Sequence, residues 1–217
     1  MIARVIDQTV SNTGKVINPL GSEACSIVYI HGFNSSPASA KARLIHDYFY
    51  RYQLAEQGGK LFIPELSYDP ELAMQALEGL IEPGVKTCLV GSSLGGYYAT
   101  WLAEKYSLQA VLVNPAVAPA ESLGAEFLGP QKNYYTGEEY ELTMDHVIKL
   151  QHFDTASLRN PLKYYLLVET GDEVLDYRLA TAKYAGAKQK IYQGGNHGFE
   201  HFEQEIPDIF LFAGFAI

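Results

Sequence analysis

A serine flanked by glycines constrains this chain more than any other feature. Gly91-Ser92-Ser93-Leu94-Gly95 stands between the aliphatic run 87–90 and the helix-forming segment Gly96-Tyr97-Tyr98-Ala99-Thr100-Trp101. A chain that passes from strand to helix within so few residues must turn sharply, and the turn lifts its middle side chain above the sheet in a strained conformation. Gly91 and Gly95 lack the Cβ that would hold strand and helix apart. Ser93 is therefore the candidate nucleophile. The N–H of Leu94, in the first turn of the helix, would face a developing oxyanion with the helix dipole behind it. Two other readings exist for a turn of small residues. One is a plain packing bend; the other is a phosphate loop, which needs a Gly-Lys-Ser/Thr that does not follow here.

The rest of the chain supplies the sheet that such a turn requires. Short aliphatic runs at 27–30, 61–63, 87–90, 110–113, 164–168 and 189–192 lack polar alternation, as parallel strands covered on both faces do. Helical periodicity fills the gaps between them. Ser36-Pro37 reads as a cap plus first helical residue ahead of a stripe of Leu44, Ile45, Tyr48, Phe49 and Tyr52, and Asp69-Pro70 repeats the device ahead of Leu72, Ala73, Ala76, Leu77 and Leu80. Strand–helix alternation predicts an α/β class with a mostly parallel, doubly wound sheet and helices on both faces. At the front, 2–10 and 15–17 flank Ser11-Asn12-Thr13-Gly14, a hairpin expected to add an antiparallel edge to that sheet. Residues 115–160 break the alternation and are too long for a simple connection. With Gly124, Gly129, Pro130, Gly137 and a helical patch at 144–150, they read as a small lid or cap insertion within one domain spanning 1–217.

Composition narrows the partners. The 217 residues carry 16 Lys+Arg against 25 Asp+Glu, a net charge of −9, which argues against binding a phosphate backbone. No nucleic acid is expected as partner. No apolar run reaches a membrane span and the start lacks the apolar stretch of a signal peptide, so no membrane association is expected either. The two cysteines, Cys25 and Cys88, read as reduced thiols of a cytoplasmic protein.

A serine nucleophile needs a base, and of six histidines His197 is placed for it. It sits in Gly194-Gly195-Asn196-His197-Gly198, directly after the last predicted strand, where flanking glycines let the loop curl over the sheet. His46 falls in a helix and His146 and His152 in the insertion. His197 and His201 have i, i+4 spacing, but the Glu that a zinc motif places after the first histidine is missing and no third ligand is evident; no metal is expected. The acid should follow the preceding strand, where Thr170-Gly171-Asp172-Glu173-Val174-Leu175-Asp176 offers three carboxylates. Asp172 stands first at the strand end and is the expected acid. Glu173 is expected to point away into solvent, and Asp176 to cap the helix that begins at Tyr177. The second oxyanion donor is expected from His31-Gly32-Phe33-Asn34, as the N–H of Phe33, with His31 propping the loop by hydrogen bonding. Tyr134 and Tyr135, with Tyr140, suggest an aromatic wall for substrate.

Five tracts together resemble the YqiA-type bacterial esterases of the α/β-hydrolase superfamily. They are Tyr29-Ile30-His31-Gly32-Phe33-Asn34-Ser35-Ser36-Pro37, Gly91-Ser92-Ser93-Leu94-Gly95-Gly96-Tyr97-Tyr98-Ala99-Thr100-Trp101-Leu102, Val113-Asn114-Pro115-Ala116-Val117, Thr170-Gly171-Asp172-Glu173-Val174-Leu175-Asp176-Tyr177 and Gly194-Gly195-Asn196-His197. The resemblance spans residues 26–212. It implies an α/β-hydrolase fold and hydrolysis of carboxylic esters by Ser93, Asp172 and His197 in the cytoplasm, without metal or organic cofactor. The residues ahead of 26 depart from the family's usual beginning. The expected substrate is a small acyl ester with a short chain. An acyl thioester, cleaved by the same three residues, is the alternative within enzymes, and a noncatalytic small-molecule binder on the same scaffold is the alternative outside them.

Overall fold

The predicted runs are strands of one sheet in the computed structural model, which describes residues 24–122 and 128–217 together with the backbone at 9–10 and 16–17. Two short strands come first, Thr9–Val10 (β1) and Val16–Ile17 (β2). Cys25–Ile30 (β3), Ala40–Arg51 (α1), Lys60–Phe62 (β4), Pro70–Glu78 (α2), Lys86–Ser92 (β5), Leu94–Tyr106 (α3) and Gln109–Val113 (β6) follow. Next come Pro119–Ser122 (α4), Gly129–Lys132 (β7), Glu139–Leu142 (β8) and Met144–Gln151 (α5). Tyr164–Glu169 (β9), Tyr177–Lys183 (α6), Lys188–Tyr192 (β10) and Phe202–Ala213 (α7) resume the alternation.

Strand order is β10-β9-β6-β5-β3-β4, and every neighbouring pair is parallel. Successive residues of β3 serve opposite faces, which is why its run is apolar throughout. Ile27 and Tyr29 pack with Ala42, Ile45 and Phe49 of α1 and with Phe202, Ile206 and Phe210 of α7. Val28 and Ile30 pack with Ala73 and Leu77 of α2 and with Ala99 and Leu102 of α3. At about 1.5–3 kcal/mol for each fully buried aliphatic or phenyl side chain, these two layers are the main source of stability.

The local signals hold in kind but not always in position. Asp69 caps α2 as expected, its carboxylate accepting from the N–H groups of Glu71 and Leu72. The buried face of α2, however, is Ala73, Met74 and Leu77, while Leu72 is 54% exposed. Ser36 does not cap α1. Its hydroxyl accepts from the N–H of Ala38 in a turn that Pro37 favours, and the helix starts three residues later with Ser39 as the cap position. Ile45 and Phe49 are buried as predicted, whereas Tyr52 lies 49% exposed past the helix end.

Among the described residues the front hairpin does not extend the sheet. β1 and β2 pair antiparallel with each other, and among the described residues neither joins the six-stranded sheet. Its turn, 11–14, lies outside the described residues. The sheet's free edges also discourage an added strand: β4 has three residues, and β10 carries Lys188 and Lys190. Within 115–160 the patch at 144–150 is α5. The antiparallel ladder of β7 and β8, from Gly129↔Leu142 to Lys132↔Glu139, was not foreseen.

Candidate active site

The sheet register brings the carboxyl ends of β3, β5, β6 and β9 to one edge: Ile30 is level with Gly91, Gly91 with Leu112, and Val113 with Leu167. Ser93 stands at this edge with φ 56° and ψ −121°, outside the regions open to a residue with a side chain. Such a conformation costs about 1–3 kcal/mol and survives only where its surroundings dictate it. They do here. A Cβ on Gly91 would lie 2.3 Å from the carbonyl oxygen of Gly95, and one on Gly95 would lie 2.0 Å from that of Ile30. The N–H of Ser93 donates to Val113 O, and its carbonyl accepts from Gly96 and Ala116.

His197 arrives on the loop after β10, whose Gly194 and Gly195 adopt φ 78° and 73°. Its Nε2 lies 3.0 Å from Ser93 Oγ, and its Nδ1 lies 3.0 and 2.9 Å from the two oxygens of Asp172. Against an ionised Asp172, Nδ1 is the donor, which leaves Nε2 to accept from the serine hydroxyl. The Asp172 side chain is 2% exposed and that of His197 24%. Burial pushes the Asp172 carboxyl up, but the hydrogen bonds from His197 and from the N–H groups of Leu175 and Val174 outweigh it and hold its pKa below the ordinary value. The structure thus joins the three residues the sequence singled out. Asp176 caps α6 as expected, accepting from Arg178 N–H. Glu173 differs from expectation: although exposed, its carboxylate accepts the backbone N–H of His197 at 3.0 Å.

A second carboxylate sits beneath this row and was missed. Glu169, the last residue of β9, has no exposure. Its oxygens accept from Asn196 N–H at 2.7 Å, His201 N–H at 3.1 Å and His201 Nδ1 at 2.6 Å. Burial raises its pKa, and these donors, His201 first, bring it below the ordinary value. Asn114 completes the layer, accepting from Glu169 N–H and donating to the carbonyls of Asn196 and His197. A lone acid ending the otherwise apolar run of β9 was the available signal. His201 is therefore turned toward Glu169 and stacked on Tyr192 at 4.1 Å, away from any ligand pairing with His197. Among the described residues no group of three His, Cys, Asp or Glu is placed to hold a metal ion. None of the helices described is long and apolar enough to cross a membrane.

The loop after β3 closes on the serine from the other side. A Cβ on Gly32 would meet Ser93 Cβ at 3.1 Å, so only glycine lets the loop lie this near without a shift. His31 is 5% exposed, with Nδ1 3.0 Å from Gly32 O, and burial lowers its pKa. That matches the propping role. Phe33 and Leu94 line a small cleft with Leu66, Tyr68, Tyr98 and Tyr140, about 40 Å³ in volume. An apolar lobe of about 20 Å³ continues past Phe33 and Leu94, under Leu142, Val147 and Leu150. Tyr134 and Tyr135 do not line either part. They stand at the hairpin turn, 80% and 49% exposed, because the turn projects them outward; of the three tyrosines expected there, Tyr140 lines the cleft, together with Tyr68 and Tyr98.

Known structures share this architecture at low identity. Est1E from Butyrivibrio proteoclasticus is 15% identical with a TM-score of 0.61, over 94% of this chain and 95% of that one. Alpha/beta hydrolase domain-containing protein 10 from mouse is 15% identical with a TM-score of 0.60, over 85% and 88%. A monoacylglycerol lipase from Paleococcus ferrophilus is 18% identical with a TM-score of 0.57, over 86% and 94%. The fold is that of the α/β hydrolases. Residues 26–214 match the uncharacterised protein family UPF0227, and the chain belongs to that family, the YqiA family.

Proposed function

We propose that the chain is a serine hydrolase of small carboxylic esters, with Ser93 as nucleophile, His197 as base and Asp172 as the acid that orients it. The observation that carries this reading is the unbroken row from Ser93 Oγ through His197 to Asp172, with contacts of 3.0 and 2.9 Å. His197 takes the hydroxyl proton as Oγ attacks the acyl carbon, and the N–H groups of Phe33 and Leu94 receive the negative oxygen. The imidazolium then protonates the departing alkoxide. Water, deprotonated by the same nitrogen, releases the acid from Ser93. Each oxyanion donor contributes ~10²–10³ in kcat. The small cleft and its apolar lobe favour a short acyl chain, and Leu142, Val147 and Leu150 beside that lobe support reading the insertion as a cap.

Replacing Ser93 by Ala tests the reading. Turnover of p-nitrophenyl acetate should fall to background while the circular dichroism spectrum is unchanged. A variant that keeps most of its activity would overturn it.

A further inference from the structure

Asn34 follows Phe33 directly and adopts φ 52°, in the left-handed region, which asparagine enters more readily than other residues with a side chain. It is 7% exposed, and what holds it is the β7–β8 hairpin. Its Nδ2 donates to Gln131 Oε1 at 3.1 Å, and its Oδ1 accepts from the Tyr140 hydroxyl at 2.6 Å. Its carbonyl accepts the N–H of Tyr134 at 3.0 Å. Asn133 adds a bond from Nδ2 to Ser35 O at 2.9 Å. The ring of Tyr140 is fixed independently, stacked on Tyr68 at 4.1 Å and meeting Phe33 edge-on at 6.5 Å. The conformation beside the Phe33 N–H is thus dictated by residues 97 and 106 positions further along the chain.

We propose that the β7–β8 hairpin is a brace that aims the Phe33 N–H at the oxyanion, with Asn34 and Tyr140 as its positioning residues; this deepens the serine-hydrolase reading and rests on it. An oxyanion donor is effective because it is in place before charge develops. Moving the hairpin away would break the bonds that Gln131, Tyr140 and the N–H of Tyr134 make to Asn34 and free the adjoining peptide to turn, which would couple hairpin and donor.

Tyr140→Phe removes one hydroxyl and keeps the ring stack. For p-nitrophenyl acetate, kcat should fall about tenfold while KM stays within about twofold, because a misaimed donor affects the transition state and not ground-state binding. Phosphonylation by a p-nitrophenyl alkylphosphonate, in which the Ser93 Oγ–P bond forms as p-nitrophenolate leaves, should slow by a similar factor. Asn34→Gly tolerates the same φ without either side-chain bond and should slow both reactions further. Lys132→Ala, which breaks an exposed hairpin ion pair with Glu139, should change neither. If Tyr140→Phe raises KM and spares kcat, the tyrosine is only a wall of the cleft and the brace is overturned. If both variants react like wild type, the brace is overturned while the serine-hydrolase reading stands. A wild-type protein that takes no phosphonate at Ser93 and turns over no ester overturns both.

Discussion

The Glu169 carboxylate accepts the N–H of Asn196 at 2.7 Å, one residue before the proposed base, and does so from a position with no exposure to solvent. A Cβ on Gly195 would lie 1.9 Å from the same carboxylate, so loop and acid are fitted to each other. Asp172 orients the His197 ring, whereas Glu169 fixes the backbone that carries it.

Glu169→Gln separates these contributions. A glutamine has one acceptor oxygen where three donors converge, so at least one buried donor is left unpaired, at about 1–3 kcal/mol. Urea unfolding should show that loss. Turnover should fall about 10–100-fold as the imidazole shifts from its line to Ser93, and KM should hardly move. A variant with wild-type kcat would show that the loop keeps its aim without the carboxylate.

The two aspartates of the 172–176 tract should respond differently. Asp172→Asn keeps the shape but no longer fixes the tautomer of His197, and kcat should drop by up to ~10⁴. Asp176→Ala removes a helix cap, costing about 1 kcal/mol and leaving kcat within a small factor. Denaturation curves and initial rates on both variants decide the assignment; the opposite pattern would exchange the two roles.

The sequence was most informative where backbone geometry demands particular residues. Gly91, Gly95 and the strand before them announced a serine at a forced turn, and Gly194 and Gly195 announced a loop able to bring His197 back over the sheet. Strands buried on both faces were legible for the same reason: apolar runs without alternation have few other uses. What escaped was set by contacts distant in sequence. Glu169 matters because Asn196 and His201 fold onto it, and Asn34 because a hairpin about a hundred residues later grips it. That Tyr140 lines the cleft while Tyr134 and Tyr135 stand exposed was not legible, because composition marks an insertion as aromatic without saying which rings face inward.

Stability should depend on pH in two separate windows. His31 is held neutral by burial, so its pKa in the fold lies below the ordinary 6.5. The unfolded chain binds that proton first, and stability present above about pH 6.5 is lost as pH falls below it. Asp172 and Glu169 have lowered pKa values from ordinary values of 3.8 and 4.5. Their stabilisation is present above those values and declines only as pH falls below about 4 toward the folded-state pKa. Urea midpoints measured from pH 8 to pH 3 should therefore fall in two stages, and His31→Asn should flatten the upper one. A single stage below pH 4 in the wild type would show that His31 does not contribute.

Acyl-chain preference follows from the lobe beneath α5. Leu142, Val147 and Leu150 line it, and these side chains are buried at 4%, 6% and 2% exposure, so a longer acyl chain would have to displace packed side chains. Across p-nitrophenyl esters, kcat/KM should peak at acetate or butyrate and decline with longer chains. Val147→Ala removes two methyl groups from the roof and should move the peak toward longer acyl groups. It should destabilise the fold by about 1–3 kcal/mol, as removing buried methyls does. Acyl thioesters of matched length, assayed alongside, separate leaving-group preference from chain-length preference, since both classes would place the acyl chain in the same lobe. A wild-type maximum at decanoate or beyond would mean that α5 moves aside to admit the chain, and the short-acyl assignment would have to be abandoned.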